Sequence, residues 1–66
     1  MQNERNKNYA RREIELAKEY LKLNPDNSSQ KDRLAWWSAY LGDFETAHEY
    51  AVSPKVKDYI RQCERR

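Results

Sequence analysis

The sequence predicts an all-α domain of four antiparallel helices, and three observations lead there. One glycine and two prolines interrupt 66 residues, so little of the chain suits tight turns. β-branched residues are scarce, and apolar side chains recur at the three- and four-residue spacing of a helix face. Capping residues stand at the breaks, and connections of a few residues leave no room for crossovers.

The first helix is expected over residues 3–23. Ala10, Ile14, Ala17 and Leu21 form one stripe. Tyr9, Leu16, Tyr20 and Leu23 form a second, roughly 100° away, which predicts more than one neighbour for this helix. Pro25 disfavours the helical conformation at Asn24 and ends it. Asn24-Pro25-Asp26-Asn27-Ser28 reads as a turn.

The second helix is expected over residues 29–41, with Ser29 as its cap and Asp32 three residues on, close to a capping box. Leu34, Trp37 and Leu41 share one face, Trp36 and Tyr40 lie on another, and Ala35 and Ala39 on a third. A helix apolar nearly all round is central and covered on several sides. Gly42 stops it in the left-handed conformation.

Asp43 caps the third helix, residues 44–52, and Glu45 in its first turn suits the helix dipole. Its expected inner face is Phe44, Ala47, His48 and Ala51. Ser53-Pro54 opens the fourth helix, residues 54–65, with a capping serine followed by proline at the first helical position. Val56, Tyr59, Ile60 and Cys63 make its apolar stripe, and it ends in Arg65-Arg66.

Charged residues are 36% of the chain and hydrophobic ones 38%. A single domain of this size buries only about 60% of its unfolded surface, and such a core rarely supplies more than about 3–5 kcal/mol. A homodimer is therefore expected. No apolar run is long enough to span a bilayer, and no apolar N-terminal core precedes a small-residue cleavage site. One cysteine cannot form an intrachain disulfide, so a reducing, cytoplasmic setting is expected. One histidine with one cysteine does not make an ordinary zinc site. No glycine-rich loop is present to cradle a phosphate. No cofactor or metal is expected.

The net charge of +2 is unevenly placed. Residues 1–24 and 55–66 are basic, and residues 25–54 are acidic. Catalytic chemistry is thin. His48 as a base with Cys63 as a nucleophile is conceivable, but both fall on apolar stripes, where such residues pack. Asp43, Glu45 and Glu49 suit a cap and a solvated face better than a metal. The expectation is a protein that is not an enzyme.

Two features stand above this background. Lys57, Arg61 and Arg65 recur every four residues and stack along one helix face. That row either docks an acidic partner or phosphate, or is a solvated face whose cations suit the helix C-terminus. Trp36 and Tyr40, flanked by Arg33, carry the residue types most enriched at interface hot spots. They either form a partner site or are covered by the Tyr9, Leu16 and Tyr20 stripe of the first helix.

The chain also repeats itself. Glu15-Leu16-Ala17-Lys18-Glu19-Tyr20 is matched thirty residues later by Glu45-Thr46-Ala47-His48-Glu49-Tyr50. Each segment runs on to a proline, Pro25 or Pro54, and then to another helix. Gly42-Asp43-Phe44-Glu45-Thr46-Ala47-His48-Glu49-Tyr50 resembles the turn and second helix of a tetratricopeptide repeat. Leu34 and Ala35 fall where that family places a leucine and a small residue. The resemblance covers residues 10–54 and implies two helix–turn–helix units. It also implies a concave, ligand-binding side lined by the first helix of a pair, which here carries Trp36 and Tyr40.

The expected function is a small protein-binding module, an adaptor, regulator or inhibitor that docks a helical surface onto a larger protein. The partner-binding candidates are Arg33, Trp36, Tyr40, Lys57, Arg61 and Arg65. The alternative is a nucleic-acid-binding or transcription-regulatory protein using its basic terminal helices, which would bind with a steep dependence on salt.

Overall fold

The computed structural model describes residues 2–65. Four helices follow one another: α1 (Gln2–Leu23), α2 (Ser28–Tyr40), α3 (Phe44–Tyr50) and α4 (Pro54–Glu64). There is no strand among the described residues. The expected Arg66 end of the last helix lies outside them.

The breaks follow local chemistry. The Asn24 amide still donates to the Tyr20 carbonyl at 2.9 Å, and Pro25 ends the run. The second helix starts one residue earlier than expected, and Ser29 is not its cap. Asn27 takes that role, with Oδ1 accepting from the Gln30 amide at 3.2 Å. An asparagine carboxamide reaches the same amide as a serine hydroxyl and caps as well or better.

At the other end of α2, Gly42 has φ +88°. Its amide donates to the Ala39 carbonyl at 3.0 Å, and the Asp43 amide donates to the Ser38 carbonyl at 2.9 Å. Those two bonds are the Schellman pairing that closes a helix C-terminus. Asp43 then caps α3, accepting from the Thr46 amide at 3.3 Å. Ser53 caps α4, accepting from the Val56 amide at 3.3 Å, with Pro54 in the first turn.

The packing has α2 at its centre. It touches α1, α3 and α4, and α3 touches α4. One core joins the last three helices: Ala35, Ala39, Ala47, Val56 and Ile60 are buried together, and Trp36, Phe44, Tyr50, Ala51, Tyr59 and Cys63 pack against them. Alanines supply most of the fully buried positions. Small side chains at the crossings let helix axes approach closely.

The first helix packs otherwise than its two stripes suggested. Among the described residues it contacts α2 alone. Ala10 and Ala17 are fully buried, while Tyr9, Leu16, Tyr20 and Leu23 are about half exposed or more. One neighbour covers one stripe, and the alanine stripe, which permits the closer approach, is the one covered. The contacts run as in a helical hairpin. Tyr9 meets Trp37 edge-on at 5.4 Å between ring centroids, and four residues further along α1, Glu13 meets Arg33, four residues back along α2.

Glu13 is a buried carboxylate that the apolar pattern did not anticipate. It is only 9% exposed, and it accepts from Arg33 Nε at 2.8 Å and from the same guanidinium's terminal nitrogen. A charge at that depth is tolerable because the guanidinium presents two donors to one carboxylate oxygen.

Candidate functional site

The six partner-binding candidates fall into two groups that the structure keeps apart. Arg33, Trp36 and Tyr40 share a face of α2, as their spacing requires. Each, however, has an internal partner. Arg33 is engaged by Glu13. The indole of Trp36 stacks on Tyr59 of α4, with centroids 3.6 Å apart and planes 9° from parallel. Tyr40 lies edge-on to Trp37 at 5.8 Å. Trp36 is thus a packing residue that closes α4 onto α2, and the stripe is not an open aromatic surface. Tyr40 is the most exposed of the three at 39%.

Lys57 and Arg61 on α4 and Arg65 at its C-terminal cap are all exposed. Tyr59, two residues from both Lys57 and Arg61, points to Trp36, so the basic row lies on the other side of α4. Lys57 and Arg61 line a shallow depression of about 180 Å³ together with His48. The charge there is partly matched: Arg61 donates to Asp58 at 2.7 Å, and His48 Nε2 lies 3.1 Å from Glu64 Oε2.

His48 was expected on the inner face of α3. It is exposed instead, with its ring held toward α4 by Glu64. Cys63 packs against the α2–α3–α4 core. The imidazole therefore faces a carboxylate at the surface, while the thiol is half-buried. No group of three or more His, Cys, Asp or Glu that could hold a metal ion occurs among the described residues. Among those residues, too, no helix is long and apolar enough to cross a membrane.

A further exposed apolar surface lies on the flank of α1, beside the face that meets α2. Leu23 is 81% exposed, and Tyr9, Leu16 and Tyr20 are near one-half. Leu16, Tyr20 and Leu23, with Glu19 and Lys22 at the edge, line an open depression of about 310 Å³. Arg12 is exposed on the same side, and Glu19 is paired with Lys22 at 3.0 Å in a solvent-exposed bridge. The stripe was visible in the sequence, where it read as a covering surface. What marked it as uncovered was the pair of alanines, Ala10 and Ala17, that compete with it for the only neighbour.

The internal repeat sharpens this. Ala17 and Ala47 are equivalent, and both are fully buried. Tyr20 and Tyr50 are equivalent too, yet Tyr50 packs against the core while Tyr20 is 51% exposed. The physical difference is the number of neighbours: α3 has both α2 and α4, and α1 has α2 alone.

No protein-family model, no curated protein and no solved structure matches the chain.

Proposed function

We propose that this chain is a small non-catalytic protein-binding module, of tetratricopeptide-like antiparallel hairpins, and that it acts through the exposed apolar flank of α1. The observation that carries the reading is the exposure of Leu16, Tyr20 and Leu23 along one side of a helix that, among the described residues, contacts only α2. Contiguous exposed apolar residues rimmed by charges mark interaction surfaces. Tyrosine and leucine on a stiff helix match recognition by a helical face, where anchors recur every three or four residues. The equivalent tyrosine of the repeat, Tyr50, is covered by packing, which supports a missing neighbour at Tyr20.

The nucleic-acid alternative has less support, because carboxylates are interleaved with the basic row and one of them engages Arg61. Asp58 holds Arg61, and Glu64 lies against His48 within the same surface.

The reading is tested with a photo-crosslinking side chain at position 20, and at position 55 as a control, in cell extract. Protein adducts formed from position 20 and not from 55, and abolished by Leu16→Glu in a chain with an unchanged circular dichroism spectrum, are expected. Equal adducts from both positions, or none from position 20, overturn it.

A further inference from the structure

Resting on the reading of α1 as a protein-binding face, we infer that its partner is a second copy of this chain, docked through α1 in antiparallel register with Leu16 opposite Leu16. The argument is the self-complementarity of the stripe. On two antiparallel helices centred on residue 16, residue i stands opposite residue 32 − i at the same height. The exposed part of Tyr9, whose ring also rests on Trp37, then meets the second copy's Leu23, and the exposed Leu16 side chains meet each other. Arg12 and Glu19 are seven residues apart, two helical turns, so both lie on one edge of the stripe. In this register Arg12 comes within one residue's rise, about 1.5 Å, of the second copy's Glu19.

The two-fold axis repeats that pairing, so two Arg12–Glu19 pairs flank the apolar centre. Both groups are exposed and available for this. The Lys22 bridge to Glu19 lies at the surface, where such pairs exchange at little cost. In a parallel pair the two-fold axis runs along the helices and the edge that carries Arg12 and Glu19 faces the other edge of the second copy, so the two residues would not meet.

The size of the face sets the affinity. A helix of 22 residues is about 33 Å long and about 10 Å across. One such face per copy lies at the low end of specific interfaces, which bury about 1,200 Å² or more in total. A weak dimer, reversible on dilution, is expected of so small a face.

The test uses the purified full chain and sedimentation equilibrium. Wild type is expected to populate a dimer at hundreds of micromolar. Arg12→Glu alone and Glu19→Arg alone should each weaken it by about tenfold, since each replaces two attractive pairs by two repulsive ones. The double reversal, Arg12→Glu with Glu19→Arg, should return the affinity to within about threefold of wild type, because complementarity is restored. Leu16→Glu should leave a folded monomer by circular dichroism.

A wild-type chain that stays monomeric throughout that range overturns the second copy as partner. So does a dimer whose double reversal is weaker than either single variant. The two readings fail separately. A monomer that still gives position-20 adducts with another protein removes the second copy and leaves the protein-binding face standing. A monomer without adducts removes both.

Discussion

Asp32 holds Ser53. One carboxylate oxygen on α2, Asp32 Oδ1, accepts from the backbone amides of Val52 and Ser53 at 2.8 and 3.1 Å. Ser53 in turn caps α4 through the Val56 amide. The sequence placed Asp32 in a local capping box at the start of its own helix. The fold uses it twenty residues away, to seat the turn between α3 and α4 on α2. Two amides with no helical partner draw the carboxylate away from a local role, since one oxygen satisfies both of them. Replacing Asp32 with Ala should lower stability by about 1 kcal/mol, since water reaches these amides, and Asn, which keeps one acceptor oxygen, by less. Urea unfolding followed by circular dichroism measures both, and an Ala variant as stable as wild type would show that the turn seats itself.

Glu13 and Arg33 tie α1 to α2 at a depth where water competes poorly. Glu13→Ala leaves a half-buried guanidinium short of its carboxylate and should cost about 1–2 kcal/mol, below the range for a fully buried pair, since Arg33 is 35% exposed. The double variant with Arg33→Ala should cost less than the sum of the singles, with a coupling of about 1 kcal/mol. Additive effects in that cycle would refute a mutual interaction.

Gly42 sits at φ +88° with no atom within 4 Å of where a Cβ would be. The cost of a side chain there is conformational and owes nothing to a clash. Gly42→Ala is expected to destabilise by about 1–2 kcal/mol, and Gly42→Asn by less, since asparagine tolerates the left-handed region better. Equal losses for Ala and Asn would point to another cause.

Trp36 joins α2 to α4 through its stack on Tyr59. Trp36→Ala should lower stability by about 2–3 kcal/mol, less than for a fully enclosed tryptophan, while Trp36→Phe should keep much of the stack. Thermal melts followed at the α-helical band decide this. If the Ala variant melts as wild type does, the ring is a surface group available to a partner.

The sequence determined the helices and where they stop. Local rules suffice for that: Pro25 ends α1, Gly42 ends α2, and Asp43 and Ser53 begin α3 and α4, each through a bond to an amide three residues on. It also determined that α2 is central, since its apolar residues surround it. The tertiary structure alone decided which of two apolar stripes on α1 is covered. Periodicity reports that a face is apolar, and only the count of neighbours reports whether anything sits on it. The same holds for Asp32, Trp36 and His48. Their partners, Ser53, Tyr59 and Glu64, lie sixteen to twenty-three residues away, beyond the reach of any pattern within one helix. For α1 that accounting leaves Leu16 and Tyr20 outside the core, because the chain supplies one helix where two stripes ask for two.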